Sequence, residues 1–523
     1  MERPTVTCSA AALVALAFLG YGETGGPTVS PHGHPESTIQ RSTQSAPFIF
    51  GIETERSKAA AGAVADFVSQ GEIEEDLHQF RVELEERFAY LRYNEPDYLS
   101  AIQAILDNAA GGMSVDDFDI ELTKVLALFI DCHAAIDGGG LPVGYLPFRL
   151  EAIGERYLAL WADRSDFVMP SYPYITKIDG MSIDEWRSAL QVMVQRGSAQ
   201  WVTYLTLRYL EYIRFARSIA GVEDPEVIEV ELESRDRSER VTTTFDVASQ
   251  RPTVEAWPDA GSGFIDGNVG YLRITGWDED AFDEVARWMP QFAAARGIII
   301  DIRHNFGGTR LVLRELYPYF VTASDPPHVA NAAKYRLYSG FSSDHLTGRY
   351  MFREDSYRWT SEERSAISAF MESFEPEWVV PESEFSEWHF WLVSKASNPG
   401  AHDYPGRVIF LMDSKCFSAS DVILSSVKGR PNITLVGEPS MGGSGARIIT
   451  TLRNSGLDLY LSSMASFQNT GLLFDSRGVE PDWLIRPQPE YYLRDGPDRA
   501  LAFALRCLEQ VRRPSRRGPP QVQ

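Results

Sequence analysis

The stretch from Gly406 to Ile423, GRVIFLMDSKCFSASDVI, constrains this chain most, because it holds a complete strand, a tight turn and a helix start. Val408 to Met412 is an apolar run with the length and β-branched content of a buried strand, and Asp413, Ser414 and Lys415 break it. The pattern predicts a helix from Ala419 to about Lys428, with Val422, Ile423 and Val427 on one face and Gly429 as its stop. Ser418 thus stands at a helix N-terminus, where unpaired N–H groups and the helix dipole stabilise a developing negative charge. Two readings are open. The position suits a nucleophile, and Ser418 with Asp421 equally fits a capping box in which the serine only ties off the helix.

Composition narrows the classes. A chain of 523 residues has room for several domains and a large core. Its 49 basic and 73 acidic residues give a net charge of -24 with no basic stripe, which repels phosphate backbones and anionic membranes and argues against nucleic-acid binding. Four scattered cysteines, Cys8, Cys132, Cys416 and Cys507, make neither a disulfide scaffold nor a paired zinc motif. Residues 1–26 read as a signal peptide, with Arg3 ahead of an apolar run from Ala10 to Gly20, so export to the periplasm or the extracellular space is expected. No other segment approaches the roughly 20 apolar residues of a transmembrane helix. Residues 27–48, rich in Gly, Pro, Ser, Thr and His, read as a linker in which His32 and His34 are most simply solvated.

Residues 49–140 read as a helical region: Ile73, Leu77, Phe80, Leu84, Phe88 and Leu91 recur at helical steps, and Leu122, Val125 and Leu126 begin a second face. The region ends in FIDCHAAIDGGG, which places His133 between a hydrophobic helix end and a glycine-rich turn. Such a histidine is either a hydrogen-bonded structural group or a catalytic one presented on a loop. Residues 141–255 carry short β-type runs around a helical stretch from Ile183 to about Phe215, and read as a small β-rich binding module. Residues 256–490 alternate strand, helix and strand, which argues for parallel pairing in an α/β layer. Asn454-Ser455-Gly456 marks a β-hairpin there. Residues 309–405 interrupt the layer with many aromatics, Trp359, Trp378, Trp388 and Trp391 among them, and are either a lid over a cleft or a packed subdomain. Residues 491–523 supply a last helix from about Asp498 and a basic tail.

Five segments in order, GNVGYLRITGW, GIIIDIRHNFGG, VIFLMDSKCFSASD, ITLVGEPSMGG and GLLFDSRGVEPDWLI, resemble the C-terminal processing (tail-specific) peptidases and the tricorn core protease, a family of serine peptidases. FIDCHAAI resembles the upstream histidine motif of that family, and YITKIDGMSIDEW is similar to the end of its PDZ-like module. The resemblance implies an α/β fold with a crotonase-like (ClpP/crotonase) catalytic layer, an N-terminal helical region and a PDZ-like module. It makes Ser418 the nucleophile and Gly308 and Ala419 the oxyanion donors. In the tail-specific branch a lysine acts as base. Here Gly443 takes that position and no lysine follows Lys428, so the usual serine–lysine dyad is excluded. The tricorn-like branch implies His133 as general base and Asp475, in place of the more familiar glutamate, as its orienting acid. Cys132 then stands where that branch often has serine, as a substrate-side or packing group.

The resemblance further implies a peptide or unfolded protein as substrate, and no cofactor or metal. Oligomeric state is left open. A non-catalytic homologue that binds peptides or small apolar ligands is the alternative, motivated by the missing lysine and the aspartate. An acyl-CoA enzyme of the crotonase type would leave Ser418 and His133 without a role.

Overall fold

The computed structural model describes residues 66–253, 257–258, 260–342 and 345–509. The expected signal peptide, the linker and the stretch from Phe48 to residue 65 lie outside them. The first described region is helical: α1 (Gln70–Arg87), α2 (Tyr98–Asn108) and α3 (Val115–Leu126). Ile73, Leu77, Phe80 and Leu84 line the buried face of α1, as their spacing requires. A short strand β1 (Ala135–Asp137) follows.

Next comes an antiparallel sheet whose strands β2 (Arg149–Ile153), β3 (Arg156–Leu160), β4 (Tyr174–Ile178), β5 (Val227–Glu233) and β6 (Arg240–Asp246) pair in chain order. The single helical stretch expected from Ile183 to Phe215 is three helices, α4 (Ile183–Leu190), α5 (Ala199–Leu210) and α6 (Ile213–Ala220). Capping serines, Ser182 and Ser198, start the first two, and Gly221 in the left-handed conformation closes the third.

The central layer begins with β7 (Gly263–Ile265) and β8 (Val269–Arg273), then α7 (Glu279–Trp288) and β9 (Gly297–Asp301). The inserted segment contributes β10 (His328–Tyr335), β11 (Phe352–Arg353), α8 (Ser361–Met371) and β12 (His389–Val393). The chain then forms β13 (Val408–Met412), α9 (Ala419–Val427), β14 (Ile433–Gly437), β15 (Arg447–Thr451), β16 (Asp458–Ser462), β17 (Met464–Gln468), β18 (Trp483–Leu484) and α10 (Arg499–Glu509). Strands β7, β8, β9, β13, β14 and β18 form one sheet in that order, antiparallel only between β7 and β8.

Both faces of this sheet are covered, which explains its uninterrupted apolar strands. Ile298, Ile300, Phe410 and Met412 face the core that contains α9, while Ile299, Ile409 and Leu411 pack with Ala504 and Leu508 of α10. The insertion is no detached lid. Its β10 pairs with β17 and its three strands form a sheet with that strand, against α9. The β15–β16 hairpin takes β1 as its third strand, and Asp76 of α1 accepts N–H bonds from Asn454 (3.0 Å) and Ser455 (2.8 Å) at the hairpin tip. The helical region therefore shares a core with the hairpin, 300 residues and more downstream.

Candidate active site

Strand β13 delivers the chain to Ser418 through the turn at Asp413 to Phe417, and Ser418 adopts φ 58° and ψ −111°. A non-glycine residue held there is strained, and persists only where its surroundings over-determine it. The side chain makes no capping bond, so the capping reading falls away. Its Oγ lies 3.1 Å from His133 Nε2 instead.

Asn305 fixes the two turns that meet here. Its carbonyl accepts the Phe417 N–H (3.1 Å) and the Ser420 hydroxyl (2.8 Å), and its side chain donates to Ile274 O (3.1 Å). Its Oδ1 takes the Gly307 N–H at 2.9 Å. Gly307 and Gly308 have φ 112° and 130°; a Cβ on the first would sit 2.8 Å from Ser418 Cβ, and on the second 2.1 Å from Trp277 O. Only glycine fits either place. With Gly307 engaged, the N–H groups of Gly308 and Ala419 find no acceptor among the described residues, beside Ser418 and at the helix start.

His133 sits in the turn between α3 and β1. Asp131 clamps that turn: its Oδ1 accepts the His133 N–H (2.9 Å) and the Ser462 hydroxyl (2.8 Å), and its Oδ2 accepts the Ser462 N–H (2.8 Å). The imidazole stacks on Phe417 at 4.7 Å, and Phe417 stacks on Trp201 at 5.6 Å. Gly443 and Gly445 close on the ring from the loop after β14, each with a virtual Cβ 3.3 Å from a ring carbon.

Asp475 is fully buried and comes within 3.9 Å of His133 Nδ1, which is beyond hydrogen-bond distance. That ring nitrogen has no hydrogen-bond partner among the described residues. The reach is short by about one methylene, and the carboxylate is otherwise engaged: Oδ2 accepts the Tyr90 hydroxyl (2.8 Å) and the Ser444 N–H (3.4 Å), and Oδ1 the Cys132 N–H (3.3 Å). Burial, followed by the charge of Asp475, pushes the Asp131 carboxyl up to about 6. Burial and the same charge hold Tyr90 well above the usual phenol range, so it remains a donor.

Asp131, His133 and Asp475 bring ligand atoms within 4.8 Å of one another, close enough for a cation. Their protein hydrogen bonds, however, fit a scaffold that holds an imidazole.

One expectation is corrected and one open alternative is decided. Asp421 is more than a capping-box partner of Ser418: it is fully buried, accepts the Ser440 hydroxyl (2.5 Å) and the Gly442 N–H (3.1 Å), and anchors the glycine loop to α9. Burial raises its carboxyl well above the ordinary range. Cys132 is a packing group, completely buried, with its thiol raised by burial and then by Asp475.

Gly443 also shows why no lysine stands there. A Cβ at this position would lie 2.3 Å from the Phe417 ring, and φ 151° disfavours any side chain. Gly443→Ala is expected to lower stability by about 1–3 kcal/mol, read by urea unfolding. Gly443→Lys is expected not to restore activity to a His133→Ala variant, in a peptide hydrolysis assay, because the Phe417 ring blocks its path and the backbone there disfavours a side chain.

A family model for Peptidase family S41 matches residues 268–485. Over this segment the chain is a member of peptidase family S41. It is accordingly a serine peptidase. The matched segment holds Gly308, Ser418, Ala419 and Asp475, whereas Tyr90, Asp131 and His133 lie upstream of it. Mature CPAF in complex with lactacystin is 15% identical, with a TM-score of 0.57 over 84% of this chain and 98% of that one. Mature CPAF alone gives 15% and 0.56 over 84% and 96%. The photosystem II D1 C-terminal processing protease gives 13% and 0.40 over 80% and 94%. No curated protein matches the chain. At these identities the CPAF structures establish a shared fold, and this S41 member's site rests on its own geometry.

Sequence reasoning missed Tyr90, Asp131 and Asn305. Asp131 and Asn305 each lie within three residues of a residue it did select, in FIDCHAAI and HNFGG, and their polar character inside apolar motifs was the available signal. Nothing local marks Tyr90.

Proposed function

We propose that this chain is a serine endopeptidase that cleaves peptide bonds through an acyl-enzyme on Ser418, with His133 as general base. The 3.1 Å approach of His133 Nε2 to Ser418 Oγ carries the reading. Nε2 takes the hydroxyl proton as Oγ attacks the scissile carbonyl carbon. The oxyanion that forms is met by the N–H groups of Gly308 and Ala419, with the dipole of α9 behind the second. His133 returns the proton to the leaving amine as the C–N bond breaks, and then activates water to release the acyl group. Asp475 stabilises the imidazolium by charge, and Asp131 holds the loop in register.

In this reading the parallel layer is crotonase-like and residues 141–255 are a PDZ-like module, whose sheet edges offer an extended peptide a strand to pair with. The apolar run near the N-terminus suits an exported enzyme.

A serine-directed fluorophosphonate tests the proposal. Wild type is expected to be labelled and Ser418→Ala not; labelling that survives in Ser418→Ala removes Ser418 as nucleophile. The unpartnered His133 Nδ1 favours a second reading, a homologue that binds peptides without cutting them. It would show peptide binding with no labelling of wild type.

A further inference from the structure

Arginines in this acidic chain are generally matched with acids. The buried ones illustrate it: Arg149 pairs with Glu211, Arg217 with Asp179, and Arg303 with Asp301. Arg310 and Arg349 break the rule. Arg310 is 5% exposed, yet its guanidinium meets only neutral groups: Asn331 Oδ1 at 2.5 Å, Ser444 Oγ at 3.2 Å and Met351 Sδ at 3.6 Å. Arg349 is half-buried and has no hydrogen-bonded or ionic side-chain partner among the described residues. Burial and then the charge of Arg349 lower Arg310 to about 9; burial and then the charge of Arg447 lower Arg349 to about 10. Among the described residues no carboxylate makes an ion pair with either.

A buried cation without a counter-charge is unfavourable in the free protein, and a bound anion relieves it. The location says which anion. Arg310 follows Gly308 by two residues and holds Ser444, the residue between the two glycines that close on the His133 ring. Arg447 begins the strand two residues after Gly445, and its side chain is solvent-exposed. The positive array therefore flanks the reacting groups, at the end of the loop that carries Gly443 to Gly445.

We propose that Arg310 and Arg349, with Arg447 at the rim, form a specificity subsite that receives an acidic side chain of the peptide substrate close to the scissile bond. The subsite rests on the reading of Ser418 and His133 as the catalytic pair, and it deepens that reading by naming the substrate class. Arg310, braced by Asn331 and Ser444, offers a fixed fork, and Arg349 offers a second positive charge for the same carboxylate. A neutral isostere leaves both cations uncompensated, which is how a charged pocket discriminates strongly.

The test separates binding from cleavage. Ser418→Ala protein is titrated with fluorescein-labelled, C-terminally amidated alanine-rich peptides in which one glutamate is moved stepwise along the chain, each beside its glutamine twin. An all-alanine peptide with a free C-terminus covers the other source of a carboxylate. At one position glutamate is expected to bind roughly tenfold or more tightly than glutamine, with the advantage reduced to within about twofold by Arg349→Gln. Arg310→Lys, which keeps a charge but not the fork, is expected to retain part of the preference, and its thermal melt reports whether the fold survives. Equal binding of every glutamate and glutamine pair overturns the proposal, as does a preference untouched by Arg349→Gln, or one confined to the free C-terminus. Fluorophosphonate labelling of wild type is read in parallel. Labelling without acid preference refutes the subsite alone, whereas acid preference without labelling refutes the peptidase mechanism and leaves the subsite as a binding pocket.

Discussion

His133→Ala is expected to lower kcat by roughly 10⁵- to 10⁶-fold, as much as Ser418→Ala, with little change in KM and no further loss in the double variant. The reason is that the two side chains act as a unit. Oγ is a weak nucleophile until a base 3.1 Å away takes its proton, and the base has no task without the hydroxyl. Among the described residues, the geometry offers no second base: Gly443 occupies the place of a lysine, and the nearest carboxylates point at Tyr90, Ser462 and backbone N–H groups. Asp475→Asn is expected to cost only on the order of 10- to 100-fold, well short of the roughly 10⁴-fold loss when a directly bonded triad acid is neutralised. The 3.9 Å separation from Nδ1 is what sets the difference. Steady-state hydrolysis of a fluorogenic peptide measures all four variants, and a double variant far worse than either single one would show that the pair does not act together.

The largest expected effect on stability lies at Asp301, where β9 leaves the sheet. Asp301 is fully buried and accepts Arg303 Nε (2.9 Å), Arg303 Nη2 (2.5 Å) and the Tyr271 hydroxyl (2.7 Å). Its burial alone would raise the carboxyl, but the charges of Arg303 and Arg273 outweigh it and hold the group down at about 2. Asp301→Ala leaves the buried Arg273 without a carboxylate and Arg303 with only Asp498 (2.7 Å), and is expected to destabilise the fold by about 3–5 kcal/mol in urea unfolding at neutral pH. The sign of the pH dependence follows. A depressed carboxyl contributes stability that is complete above the unfolded value of 3.8 and is lost as the pH falls toward 2. The gap between wild type and Asp301→Ala should therefore narrow between pH 4 and pH 2, and a gap constant across that range would remove the ion pair as its cause.

Much of the layer could be read from local pattern. The apolar runs of β9 and β13 announce strands covered on both faces, and the Asn454-Ser455-Gly456 turn announces its hairpin. Ser418, His133 and Asp475 could be named from motifs, and the structure gathers them within a few ångströms. What could not be read depends on partners distant in sequence. The insertion reads equally as a lid or as a packed subdomain, and only the pairing of β10 with β17 across more than 100 residues ties it to the layer. Asp421 reads as an ordinary helix-end acid until the glycine loop folds onto it. The stacking of His133, Phe417 and Trp201 joins three regions that no window contains. The strain at Ser418 is a backbone property with no compositional mark.

The pairing of β1 with β16 has a consequence for the order of events in the life of the chain. His133 stands two residues before a strand whose partner begins at Asp458, and the carboxylate nearest its ring is Asp475. Asp131 precedes Ser418 in the chain, but it completes its clamp on the His133 turn through Ser462, which is synthesised after Ser418. A nascent chain that has not yet emerged past these residues contains the nucleophile and the histidine without the clamp that brings them together. Ser418 and His133 are therefore expected to meet only once β16 has closed on β1.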